Sequence, residues 1–132
     1  MTSFEFLRYI SHPPLSDEER LLRIQITASA ITGVLSPCLV YVFGSAAWGH
    51  GFDSNSDIDC LAVIKCEKAA ARSWKQFGKI RRQFNWPLDL IVLSEADFLR
   101  KKDIGGVAFI ATHEGRLIYD DSRGGFLSQK NA

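Results

Sequence analysis

The chain has 132 residues, 46% hydrophobic and 23% charged, which fits a single soluble domain with a real core. A formal net charge of +1 argues against a protein that coats nucleic acid through a global basic excess, although it leaves room for a local basic patch. No apolar run approaches the roughly 20 residues needed to cross a bilayer, and MTSFEFLRYI lacks the basic start and apolar block of a signal peptide.

Residues 1–15 read as a short arm, because His12-Pro13-Pro14 cannot continue a helix. Ser16 followed three positions later by Glu19 is a capping box, and Leu21, Ile24, Ala28, Ile31 and Leu35 follow at helical spacing. Gly33 and Ser36-Pro37 are expected to end that helix. Cys38 to Phe43 is a β-rich apolar run, a strand buried on both faces. Gly44-Ser45 breaks it, Ala46 to Gly49 suggests one helical turn, and 50–56 is a loop rich in Gly, Asp, Ser and Asn.

Ile58 to Ile64 is a second strand, Glu67 to Phe84 a helix, and Leu88 to Leu93 a third strand after Pro87. Ser94 caps a further helix with Asp97 three residues on, and 98–110 reads as helical with a weak point at Gly105-Gly106. Arg116 to Tyr119 is a last short strand, and 121–132 a polar, Gly-rich, flexible tail. The alternation predicts an α/β domain over 16–120, a small mixed sheet flanked by helices. Cys38, Cys60 and Cys66 show no CxxC spacing and read as buried free thiols of a cytoplasmic protein.

Aspartate is disfavoured in strands, yet Asp59 lies inside IDCLAVI and Asp89 inside LDLIVL. Burying a lone carboxylate is costly, and a local rule broken inside a well-formed element often marks a functional site. Asp57 and Asp59, two apart on an extended chain, share one face, with Cα atoms roughly 6.5 Å apart. If the third strand pairs with the second, Asp89 joins them, and the mutual repulsion calls for a cation. Hard oxygen ligands suit Mg²⁺ or Mn²⁺ rather than Zn²⁺. Gly44-Ser45, after a buried strand and opening a helical turn, can aim N–H groups and a hydroxyl at an anion. Alone it is as readily a simple turn, and the chain holds neither GxxxxGK[ST] nor GxGxxG.

The combination is more specific. FGSAAWGHGFDSNSDIDCLAV, a Gly-Ser followed eleven residues later by Ser-Asp-Ile-Asp, and LDLIVL thirty residues beyond, resemble the signature of the DNA polymerase beta-like nucleotidyltransferase superfamily. The small size points to its minimal nucleotidyltransferase branch. The resemblance implies a nucleotidyltransferase fold, with Gly44 and Ser45 holding a triphosphate. Asp57, Asp59 and Asp89 would be metal-binding and catalytic, with Asp89 also acting on the acceptor hydroxyl. It implies Mg²⁺ (or Mn²⁺) as cofactor and a nucleoside triphosphate, ATP, as substrate, with AMP moved onto a hydroxyl. Members of that branch pair with small helical HEPN-type proteins as the antitoxin of toxin–antitoxin systems, so either a homodimer or such a complex is expected. An apolar patch near Phe98, Val107, Phe109 and Ile110 is a candidate contact, or plain core. The alternatives are a non-catalytic nucleotide-binding subunit and an antibiotic-type small-molecule nucleotidyltransferase. One departure is visible: many relatives carry an Arg soon after Gly-Ser, where this chain has Ala46-Ala47-Trp48.

Weaker features remain. Lys65, Lys68, Arg72, Lys75, Lys79, Arg81 and Arg82 make one helix basic, a solvated face or a partner-facing patch. Trp48 is either packing or a base-stacking surface. His12, His50 and His113 are scattered.

Overall fold

The computed structural model describes residues 13–129. The opening helix, α1 (Asp17–Leu35), starts where the capping box placed it, with the Ser16 hydroxyl accepting from the Glu19 N–H at 3.1 Å. It ends at Ser36, as Ser36-Pro37 led one to expect, and runs on past Gly33. Gly33 lies within the helix, and the stop is Ser36 in the left-handed region (φ 50°), its N–H returning to Thr32 O at 3.1 Å. Then come β1 (Leu39–Phe43), the single turn α2 (Ser45–Trp48) and β2 (Ile58–Ile64). The helix expected over 67–84 is a jointed rod: α3 (Glu67–Arg72), a 3₁₀ turn (Ser73–Gln76) and α4 (Phe77–Arg81). The joint falls at Ser73, whose buried hydroxyl bonds back to Ala70 O at 2.7 Å. Such back-bonding competes with the helical ladder and bends it.

Strand β3 (Leu88–Ser94) follows, and Ser94 caps α5 (Glu95–Lys101) by accepting from Asp97 N–H at 3.2 Å. Gly105-Gly106 divides the predicted 98–110 helix in two, α6 being Gly106–Glu114. Strand β4 (Arg116–Asp120) is where the sequence put it. The expected flexible tail holds a 3₁₀ turn (Asp121–Arg123) and a two-residue strand, β5 (Gly125–Phe126), paired antiparallel with β4. Leu127 N–H donates to Ile118 O at 3.0 Å, so 125–129 is built onto the sheet. Most of the 1–15 arm lies outside the described residues; of its end, Pro14 bridges Asp53 and Leu15 N–H bonds Phe52 O at 3.0 Å.

The five strands form one mixed sheet in the order β3-β2-β1-β4-β5, with β2 and β3 parallel and the other pairs antiparallel. Alternation sorts the strand residues onto two faces. Val40, Val42, Cys60, Ala62 and Leu90 pack with Ile24, Ala28 and Ile31 of α1 and Ile80 of α4. Leu61 and Val63 pack on the other side with Phe98, Ala108 and Ala111 of α5 and α6. Both faces are therefore covered, as continuous apolar strands require. Phe98 is core at 3% exposure, which removes it from the expected surface patch, while Ile110 stays 40% exposed. The cysteine expectation divides: Cys60 is buried, Cys38 half-buried, and Cys66, at the head of α3, exposed.

Two glycines make the packing testable. A Cβ at Gly115 would sit 2.6 Å from Val42 O and 2.7 Å from Ala111 O, whereas one at Gly33 meets nothing within 4 Å. Gly115→Ala is expected to destabilise by about 1–3 kcal/mol, and Gly33→Ala to stabilise by about 0.5–1 kcal/mol. Urea unfolding of the two variants checks both signs.

Candidate active site

Three chain segments meet at one end of the sheet. Because β1 and β2 are antiparallel and β2 and β3 parallel, the end of β1 lies beside the starts of β2 and β3. In register, Phe43 stands opposite Asp59, and Asp59 opposite Asp89. Parallel neighbours lie about 4.8 Å apart, so the two carboxylates emerge side by side. Their face is that of Leu61 and Ile91, which α5 and α6 seal further along. The carboxylates stand beyond that cover: Asp59 is half-buried and Asp89 exposed. The apolar runs that made both positions look like core belong to the deeper parts of the strands.

Burial first, then the charges of Asp89 and Asp57, hold the Asp59 carboxyl above the ordinary carboxylate range. Asp57 is exposed, two residues before Asp59, and contributes charge. Among the described residues no group of three or more His, Cys, Asp or Glu side chains is placed to hold a cation ready-made. Two adjacent carboxylates nevertheless fit Mg²⁺, which binds through one or two carboxylates and completes its octahedron with water and substrate phosphate.

Gly44 fits the same picture. Its φ of 68° and ψ of −156° belong to backbone that essentially only glycine adopts. A Cβ there would collide with Asp59 Oδ2 and lie 3.4 Å from its Cγ. The absence of a side chain thus lets the loop backbone close directly onto the carboxylate. Ser45 begins α2 half-buried, and its hydroxyl makes no hydrogen bond among the described residues.

A one-turn helix does not hold itself. Ala46 and Ala47 are fully buried, and the turn's last carbonyls are taken by arginines the sequence reading did not single out. Arg20 of α1, 6% exposed, donates from Nη1 to Ala46 O at 2.6 Å and Ala47 O at 3.3 Å. Arg116 of β4 donates to Ala47 O at 3.4 Å and lies 5.0 Å over the Trp48 ring. Trp48 Nε1 donates to Glu114 O at 2.7 Å. That ties α2 to the end of α6 and makes packing at least part of the tryptophan's work. Arg20 sits on the inward stripe of α1, where a basic residue is out of pattern; that was the available signal.

The loop after α2 is fixed as well. Phe52 is 1% and Asp53 3% exposed. The Asp53 carboxylate accepts from Asn55 N–H at 2.8 Å, and its own N–H bonds Ser56 Oγ at 2.9 Å, a turn legible in Asp-Ser-Asn-Ser. It delivers the chain to Asp57. Before β3, Trp86 stacks on Phe84 with ring centroids 5.0 Å apart and donates to Thr27 Oγ1 at 2.8 Å. Arg81 holds Leu88 O at 3.2 Å, next to Asp89. Of the histidines, His50 is exposed in the loop, His113 faces Asp103 at 3.4 Å, and His12 lies outside the described residues.

Comparison with known proteins agrees with the fold. A solved protein of Sulfolobus solfataricus, provisionally assigned as a nucleotidyltransferase, superposes with a TM-score of 0.56 at 25% identity, over 86% of this chain and 94% of that one. No curated protein sequence matches the chain significantly. The model of the nucleotidyltransferase domain family matches residues 35–115, more than half the chain, from the end of α1 through α6 and so across all three strands that meet at the carboxylates. The chain belongs to the nucleotidyltransferase domain family.

Proposed function

We propose that the chain moves AMP from ATP onto a hydroxyl acceptor with the help of Mg²⁺ or Mn²⁺. Asp57, Asp59 and Asp89 hold the cation, and Gly44 and Ser45 hold the triphosphate. The observation that carries this reading is the convergence at one sheet end: Asp59 beside Asp89 in register, with the Gly44 backbone closed onto the Asp59 carboxylate.

The acceptor oxygen attacks the α-phosphorus, forming one P–O bond while the bond to the β-phosphate oxygen breaks and pyrophosphate leaves. The cation supplies charge neutralisation on the phosphates. The protein supplies position: Gly44-Ser45 offer backbone N–H groups and a free hydroxyl to the phosphates. Exposed Asp89, nearest the open side, accepts the hydroxyl proton. The minimal-branch resemblance suggests a hydroxyl on a HEPN-type protein as acceptor, with this chain as its antitoxin; the charge distribution of the fold favours a different acceptor.

Calorimetry should show ATP binding that requires Mg²⁺ and is lost in Asp57→Ala/Asp59→Ala; equal affinity in that double variant defeats the reading. Asp89→Asn should keep much of the binding and lower turnover by about 10²-fold or more. Millimolar Mg²⁺ should raise the melting temperature of the nucleotide-free protein.

The Asp59 carboxyl has its pKa raised by folding, so the folded state binds more protons than the unfolded one between the ordinary carboxylate value and the raised one. Stability of the metal-free protein therefore falls as pH rises through that window. Asp59→Asn removes this penalty and is expected to raise the melting temperature at neutral pH in EDTA, with the gain vanishing below about pH 4. Thermal scans at pH 3.5 and 7 read the difference.

A further inference from the structure

The jointed rod of α3 and α4 carries charge that the proposed reaction does not use. Seven basic residues and one acidic residue, Glu67, lie between Lys65 and Arg82, against a net charge of +1 for the whole chain. All seven basic residues are exposed, and none has a carboxylate within 4.0 Å among the described residues. Arg81 turns inward to Leu88 O. Lys68, Arg72, Lys75, Lys79 and Arg82 recur at alternating spacings of four and three, which is one face of a helix. The opposite stripe, Ala70, Ser73, Phe77 and Ile80, faces inward. The five cations thus share the outward side of the jointed rod over a span of about 20 Å. Trp74 stands beside the line at 65% exposure, with Lys75 Nζ 5.8 Å from its ring centroid.

We propose that this line binds the phosphate backbone of a single-stranded polynucleotide, with Trp74 stacking on a base, and that the strand's terminal hydroxyl is the acceptor. Regularly spaced unpaired cations with an interleaved exposed aromatic are the elements of sequence-tolerant single-strand binding. A protein partner fits less well. Interface centres are depleted in lysine and rich in apolar groups, whereas three of these five cations are lysines and Trp74 is the exposed large hydrophobic of the rod. The rod also leads to the right place. It leaves the far end of β2 and returns to the start of β3. Arg82, just past the end of α4, therefore lies on the stretch of chain that leads to exposed Asp89 near the start of β3. The binding line stands on the charge pattern alone; the acceptor role rests on the nucleotidyl-transfer reading.

The test is fluorescence anisotropy of a 5′-labelled single-stranded 15-nucleotide RNA with the full chain, in EDTA and without ATP, over a range of salt. Affinity should fall with salt at a log–log slope of about −3.5, five contacts at about −0.7 each. Lys68→Glu/Lys75→Glu should weaken binding at least about tenfold and flatten the slope. Trp74→Ala should weaken it about tenfold with the slope unchanged. Circular dichroism melts should match wild type in both, since these side chains are exposed. Absence of RNA binding, binding indifferent to these substitutions, or equal competition by polyglutamate overturns the proposal. A second arm incubates the RNA with α-³²P-ATP and Mg²⁺. Label on the RNA 3′ end, with KM for RNA raised in Lys68→Glu/Lys75→Glu, supports the acceptor role. RNA binding of the expected slope with no transfer to any acceptor supports the binding line while overturning the acceptor role and the transfer reading together. ATP·Mg²⁺ binding without RNA binding overturns the line and leaves the transfer reading standing.

Discussion

The site depends on how closely a backbone can approach a carboxylate. At Gly44 the chain leaves β1 at φ 68° and turns directly across Asp59, in space that any Cβ would fill. The same missing atom answers two demands, since L side chains avoid that conformation and no side chain fits there. Everything nearby keeps this approach in place. The β1–β2 register brings Phe43 opposite Asp59. Gly115 lets the end of α6 close to 2.6 Å, measured from an added Cβ, against Val42 O just before that turn. Trp48 then bonds the last carbonyl of α6. Gly44 and Gly115 serve the same corner for different reasons, one for conformation and contact, the other for contact alone.

Much of this was legible in the sequence. Period-two alternation put Asp59 on the face opposite Ile58 and Cys60, and the two-residue spacing put Asp57 beside it. The βαβ order made a β2–β3 pairing natural, which brought Asp89 alongside. Other features were hidden for physical reasons. Periodicity does not reveal depth along a strand, so Asp59 and Asp89 looked like buried charges when they stand at an open end. Helical spacing continues through Ser73 and so gives no sign of the joint, where the Ser73 hydroxyl bonds back to Ala70 O. Ser36 ends α1 in a conformation more usual for glycine, which is why Gly33 looked like a second stop beside Ser36-Pro37. The last segment looked loose because strand β5 has two residues, too few to leave a pattern, and is held by β4.

Net charge is the quantity that most misleads when it is averaged. At +1 the chain shows no polyanion preference, yet the rod concentrates cations along one line while the sheet end concentrates aspartates. Debye screening over about 8 Å at physiological ionic strength limits how far the field of each region reaches. The fold keeps them apart by topology. The rod packs on the α1 face of the sheet, and the carboxylates emerge on the α5–α6 face.

The missing arginine after Gly-Ser finds a physical answer at the other end of α2. Four residues at 1.5 Å each make α2 about 6 Å long, within one Debye length. The guanidiniums of Arg20 and Arg116 bond its final carbonyls, where a cation also favours the helix dipole. Arg20 is 6% exposed, and its partner Asp17, 3.3 Å away, has 86% of its side chain exposed, so that pairing is screened by water and the positive charge is only partly offset. The one-turn helix that follows Gly44-Ser45 therefore has two cations at its far end. In this chain α1 and β4 place positive charge at the end of the one-turn helix that they also hold in place.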